Sequence, residues 1–135
     1  MGGQIAGIGF GLDLTHADIQ NYLKAKGLPW ERAKAFDTSA VLSHFVPFSG
    51  DLASLRMRLF VNDVVQQEAD YSLMIYKPEV MLAQIKRFMT LEDGDIILSG
   101  TPKGVGTYRI GDRFVGQVSI GERLLVEQRW VARKR

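Results

Sequence analysis

Leu55, Met57, Leu59 and Val61 alternate with Arg56, Arg58 and Phe60. A period of two sends one set of side chains to one face, and only an extended strand in a sheet buries such a face. Asn62-Asp63 follows as a two-residue hairpin turn into a partner strand over Val64 to Glu68.

Further strands are legible on either side. Ile5 to Leu14 alternates small and apolar residues and reads as a buried strand, with glycines where something approaches closely. Ile96-Ile97-Leu98 reads as a short buried strand. Phe114 to Ile120 and Arg123 to Val131 form the last two, joined by a turn at Gly121-Glu122. Two helices interrupt them. Thr15 to Asp18 matches a capping box with Thr15 as N-cap, predicting a helix to about Lys26 whose inner face carries Ile19, Tyr22 and Leu23. Pro78 suits a first helical turn, and Met81, Leu82, Ile85, Phe88 and Met89 recur behind it at helical spacing. From Gly27 to Asp51 no period persists, which predicts a long loop of the kind that often carries function. The fold class is α+β and strand-rich, with residues 1–135 forming a single domain.

No cysteine is present, which excludes disulfides, a thiolate nucleophile and a zinc–thiolate site. Hydrophobic residues make up 46% and charged residues 24%, which excludes wholesale disorder. The net charge of +2 is gathered near the end, at Arg129, Arg133, Lys134 and Arg135. Such a cluster reads as a solvated tail rather than a nucleic-acid arm. No apolar run approaches membrane-spanning length, and Met1 to Ile5 lacks the basic and apolar regions of a signal peptide. The expectation is a cytoplasmic protein with neither a membrane nor a nucleic-acid partner.

Three elements could carry chemistry. Asp13 ends an apolar strand, where a carboxylate is costly unless it is paired, hydrogen-bonded or metal-bound. Hard cations such as Mg²⁺ take oxygen ligands of this kind; capping of local backbone is the other reading. Lys34 lies in the long segment between Trp30 and Phe36, where partial desolvation suits proton transfer or the holding of a carboxylate, against a plain solvated lysine. Ser99 to Gly106, SGTPKGVG, lacks the Gly-Lys-Ser/Thr ending of a nucleotide loop. It reads as an anion- or carboxylate-binding turn, or as a β-turn with Pro102 at its second position. The two histidines, His16 and His44, have no second histidine at ligand spacing, and no serine lies in a G-x-S-x-G elbow.

Together these pieces resemble the fumarylacetoacetate hydrolase family. The resemblance rests on Asp13-Leu14-Thr15 through Asp18-Ile19-Gln20, then on Leu28-Pro29-Trp30-Glu31-Arg32-Ala33-Lys34-Ala35-Phe36-Asp37. It continues through Phe88-Met89-Thr90-Leu91 and Gly94 to Gly106, in collinear order. The wording is most similar to the acylpyruvate hydrolase branch. The resemblance implies a mixed β-sandwich roll with short helices, a homodimer, and a Mg²⁺- or Mn²⁺-dependent enzyme of aromatic catabolism. That enzyme would hydrolyse a C–C bond in an acylpyruvate or related 2,4-dioxo acid through a metal-stabilised pyruvate enolate. It implies Asp13 as one of three carboxylate metal ligands, Lys34 and Gln20 as residues handling substrate, and Thr101, in the turn with Gly100 and Pro102, as the grip on a substrate carboxylate.

The chain departs from the family pattern in three places. The family's upstream Glu-x-Glu motif has no counterpart, since residues 1–12 contain no acidic residue, which implies an N-terminally truncated portion of a longer enzyme. Ala17 stands where the family has a carboxylate-gripping arginine, leaving His16 as the substitute substrate-binding residue. Ala69 and Leu73 stand where the family has Gly and Asp. Rival expectations are oxaloacetate decarboxylation, or catabolic isomerisation and decarboxylation on the same fold. A third is an inactive fragment that only dimerises or binds a partner.

Overall fold

The computed structural model describes residues 4–134. Met1 to Gly3, part of the segment read for a signal peptide, and Arg135 of the basic tail lie outside the described residues. In chain order the elements are β1 (Gly7–Ile8), β2 (Gly11–Asp13), α1 (Ala17–Ala25), α2 (Glu31–Lys34), β3 (Ala40–Leu42) and β4 (Val46–Pro47). They continue with β5 (Leu55–Val61), β6 (Val64–Asp70), α3 (Pro78–Ile85), β7 (Arg113–Ile120) and β8 (Arg123–Val131). The class is α+β and strand-rich, as the sequence indicates. The described residues form two compact units, Gly11–Leu42 and the remainder of residues 4–134.

The larger unit is built on a four-stranded antiparallel sheet of order β6-β5-β7-β8. The alternation at Leu55–Val61 is its second strand, and the expected hairpin closes at Asn62-Asp63, both left-handed (φ 50° and 67°) as a two-residue turn of this type requires. The Asn62 amide then ties the turn to the next strand, donating to Asp112 Oδ1 at 2.9 Å while its Oδ1 accepts from the Arg113 N–H at 3.0 Å. That bond and the Arg109 N–H hold the Asp112 carboxyl below its ordinary range. Inward residues Leu59, Phe114, Val118 and Val126 form the core with Phe10. Gly116 is buried among them because the Phe10 ring occupies the space a Cβ would need. Ser43 fixes Phe10 from behind: its Oγ accepts from the Phe10 N–H at 2.9 Å and donates to the His44 carbonyl at 2.6 Å.

The smaller unit pairs β2 with β3, Asp13 opposite Ala40, and adds α1 and α2. Leu23 of α1 and Ala33 of α2 are its buried residues. The C-terminal end of α1 closes through Gly27 N–H to Lys24 O and Leu28 N–H to Leu23 O.

Several local expectations are corrected. The strand over Ile5 to Leu14 is two short strands, β1 pairing with β4 and β2 with β3. Thr15 does not cap α1: the helix begins at Ala17, one residue later than the pattern requires, so His16 is the N-cap residue, without a side-chain bond, and Thr15 Oγ1 accepts from Lys34 Nζ instead. Ile19 and Tyr22 are exposed, so the inner face of α1 is narrower than the periodicity suggests. The loop from Gly27 to Asp51 contains α2, β3 and β4, elements of two to four residues that are too short to show a period. Ile96–Leu98 is exposed and takes no strand partner, since three apolar residues in a row do not by themselves supply a hydrogen-bonded neighbour. The helix after Pro78 ends at Ile85, leaving Phe88 and Met89 exposed. No helix among the described residues is long and apolar enough to cross a membrane.

Candidate functional site

The site starts from the parity of a strand end. Asp13 closes β2, and residues two apart on an extended chain face the same side, so Thr15 follows it onto one face. The Leu14 N–H to Ser39 carbonyl bond, 2.8 Å, keeps the backbone extended between them. Opposite lies α2, a single turn anchored by the fully buried Ala33, whose carbonyl accepts from the His16 N–H at 3.0 Å. With Ala33 held inward, the next residue, Lys34, reaches across to the strand end.

Lys34 Nζ donates to Asp13 Oδ2 at 2.9 Å and to Thr15 Oγ1 at 2.8 Å. The Lys34 and Asp13 side chains are each 36% exposed, so a small ligand can reach both. An ammonium carries three donors, and the two bonds it makes among the described residues leave a third N–H for a ligand oxygen. The arrangement is a positive charge of fixed position beside an accessible carboxylate.

His16 and Gln20 lie one turn apart on the same edge of α1, with the Gln20 N–H bonded to the His16 carbonyl at 2.9 Å. The His16 ring packs on Phe36, centroids 4.0 Å apart. Ala17, where the family pattern has arginine, is the exposed first residue of α1. Gly100, Thr101 and Pro102 belong to the larger unit, in an irregular segment between α3 and β7 in which Thr101 is exposed. Two side-chain amides of β6 hold that segment by its carbonyls: Gln66 Nε2 to Gly104 O at 2.7 Å and Gln67 Nε2 to Pro102 O at 3.1 Å.

The residues present do not complete the implied Mg²⁺ or Mn²⁺ site. Among the described residues no three His, Asp or Glu side chains group to hold a metal. Asp13 offers one carboxylate, and the Lys34 ammonium already occupies its Oδ2. Two surface hollows are also formed. One of about 360 Å³ is lined by Asp18, Ile19, Tyr22, Leu23 and Arg32, and one of about 240 Å³ by Arg56, Glu68, Ala69, Asp70 and Leu73. Neither is lined by Asp13, Lys34 or Thr101.

Thr15 was missed as a site residue because the capping pattern claimed it. The spacing Asp13-x-Thr15 at a strand end would have placed both oxygens on one side, within reach of a single ammonium. Gln66 and Gln67 gave no sequence signal beyond lying in an expected strand.

Comparison with known proteins agrees with the motif order. The family model described as fumarylacetoacetate (FAA) hydrolase C-terminal matches residues 3–128. The oxaloacetate tautomerase YcgM of Escherichia coli (strain K12) is 45% identical over 111 residues, covering 80% of this chain and 51% of the relative. Among solved structures, yeast ynq8, a fumarylacetoacetate hydrolase family protein, superposes with a TM-score of 0.89 at 33% identity, over 98% of this chain and 58% of that one. The fumarylpyruvate hydrolase of Pseudomonas aeruginosa, in complex with Mn²⁺ and pyruvate, superposes with a TM-score of 0.86 at 32% identity, over 96% of this chain and 55% of that one. The chain thus spans about half the length of the curated relatives it matches. It belongs to the fumarylacetoacetate hydrolase family, within whose C-terminal region it lies.

Proposed function

We propose that this chain carries the enolate-handling part of an enzyme for short 2-oxo acids, and that its reaction is the interconversion of the keto and enol forms of an oxaloacetate-type dicarboxylic acid. The observation that carries this is the Lys34 ammonium, fixed by Asp13 and Thr15 with one donor to spare. Ketonisation removes the proton from the enol oxygen on C2 and adds one at C3, and negative charge gathers on the C2 oxygen in the enolate between the two. An ammonium held beside that oxygen, in a partly desolvated place, lowers the energy of the charged species more than that of the neutral ones. Gln20 lies near the substrate in this reading; in the larger unit, taken by itself, Thr101 with Gly100 and Pro102 is the carboxylate grip that the family resemblance implies. His16 stands in for the arginine absent at Ala17. The oxaloacetate tautomerase relative, 45% identical over 80% of this chain, supports the choice of reaction.

Hydrolysis of a C–C bond in an acylpyruvate, the reaction implied by the sequence motifs, is the second reading. The pyruvate held by the fumarylpyruvate hydrolase neighbour favours it, since pyruvate enolate is the leaving group of such a cleavage. One panel separates the two. With Mn²⁺ supplied, wild type and Lys34→Ala are assayed on enol-oxaloacetate and on acetylpyruvate. Ketonisation of the first without cleavage of the second supports the tautomerase reading; pyruvate released from acetylpyruvate supports hydrolysis. Turnover of neither, or no effect of the substitution, removes both.

A further inference from the structure

We propose that Gln66 and Gln67 are positioning residues that clamp the Gly100–Gly106 turn in the shape needed to present Thr101, and that a β-bulge in β6 is what lets both of them do so. The inference rests on the reading of that turn as a carboxylate grip, and deepens it.

The argument begins with parity. Adjacent residues on a regular strand point to opposite faces, so two consecutive glutamines cannot ordinarily reach one loop. Along the β5–β6 pair, Leu59 stands opposite Gln67 and Phe60 opposite Val65, with the register shifting between them. Gln66 is therefore the extra residue of a bulge, a device that re-aims side chains. The result is two amides on one segment, Gln66 Nε2 to Gly104 O at 2.7 Å and Gln67 Nε2 to Pro102 O at 3.1 Å. The two accepting carbonyls flank Lys103, and the nearer one follows Thr101 directly. Both bonds span more than thirty residues of sequence, so they fix the turn against the sheet rather than merely shaping it locally.

Gly104 gives the independent sign that the fit is tight. It lies at φ 101°, and a Cβ there would run into the Gln66 backbone carbonyl oxygen. The turn thus approaches the bulge backbone as closely as a residue without a side chain allows. Among the described residues no helix or strand encloses residues 99–107, so the segment has no ladder of its own, and these amide bonds and this contact tie it to β6.

The test uses the double variant Gln66→Met/Gln67→Met, which keeps side-chain length and removes the amides, with Gly104→Ala as a second route to the same loosening. Two readouts are taken on the full chain: backbone ¹⁵N order parameters at Lys103 to Gly106, and the KM and kcat for enol-oxaloacetate with Mn²⁺ supplied. Loss of the two side-chain bonds should lower the order parameters of the turn from the rigid range of about 0.85 to below about 0.6. It should also raise KM by about tenfold with kcat nearly unchanged, the pattern of lost uniform binding. Unchanged order parameters overturn the clamp, and lowered ones with an unmoved KM overturn its role in presenting Thr101. If wild type turns over nothing, the tautomerase reading fails on its own, and the order parameters alone decide whether the glutamines hold the turn.

Discussion

Lys34 Nζ lies 2.9 Å from Asp13 Oδ2, which joins the last residue of a one-turn helix to the end of a strand twenty-one residues earlier. The pair is too exposed to be a stability element: ion pairs of this accessibility contribute about 1 kcal/mol or less. Breaking it by Lys34→Ala should leave the melting temperature within a few degrees of wild type, by circular dichroism. A large loss of stability would mean that the lysine is structural.

Ser43 is the opposite case. It is buried, and its hydroxyl satisfies the Phe10 N–H behind the core of the larger unit. Ser43→Ala strands that donor, at a cost of about 1–3 kcal/mol. Urea unfolding should show the midpoint falling with the slope unchanged. An unmoved midpoint would contradict the assigned role.

Part of the acid sensitivity should trace to Asp112. Hydrogen bonds from Asn62 and from the Arg109 backbone hold its carboxyl below the ordinary value. A depressed folded pKa means the stabilisation is complete above the ordinary carboxylate range and is lost as pH falls through the folded value. Asp70, bonded by Ser72, and Glu127, bonded by Gln117 and Arg129, are shifted the same way. Asp112→Asn should lower stability at neutral pH and flatten its decline in acid, read from melting temperatures across a pH series. A parallel decline in both proteins would contradict this.

Metal affinity separates what Asp13 offers from what a complete site needs. One carboxylate already paired with an ammonium cannot replace a three-carboxylate cage. Mn²⁺ titrations followed by electron paramagnetic resonance should show weak binding, at about millimolar levels, that Asp13→Ala weakens further. Tight binding of one ion per chain would show that other ligands are gathered here.

The larger unit leaves much apolar surface open, including Ile75 at 91% and Val105 at 79% exposure, with Phe88 and Ile110. The homodimer implied by the family resemblance should appear in sedimentation equilibrium as a concentration-dependent mass of twice the chain. A strictly monomeric chain with no dye-binding surface would contradict it.

The sequence disclosed the long periodic elements and the order of the motifs, because alternation over Leu55–Val61 and glycine turns act locally. The final two strands, the Asn62-Asp63 turn and the helix opening at Pro78 follow from such signals. It concealed α2, where four residues cannot display a period, and so left Lys34 in a loop rather than on a helix anchored by Ala33. It misassigned Thr15, since the capping pattern and the lysine compete for one hydroxyl and only tertiary contact decides. The apolar run at Ile96–Leu98 looked buried because hydrophobicity alone does not reveal whether a neighbour exists to cover it. The bulge at Gln66 depends on pairing register, which no single strand's composition encodes.

The most direct measurement is the rate at which enol-oxaloacetate ketonises, followed by the loss of its ultraviolet absorbance, with wild type, Lys34→Ala and Thr15→Val compared under saturating Mn²⁺. The account predicts acceleration by wild type, a loss of about 100-fold in Lys34→Ala, as for removal of one oxyanion-stabilising donor, and a smaller loss in Thr15→Val. Equal rates for wild type and Lys34→Ala would contradict it.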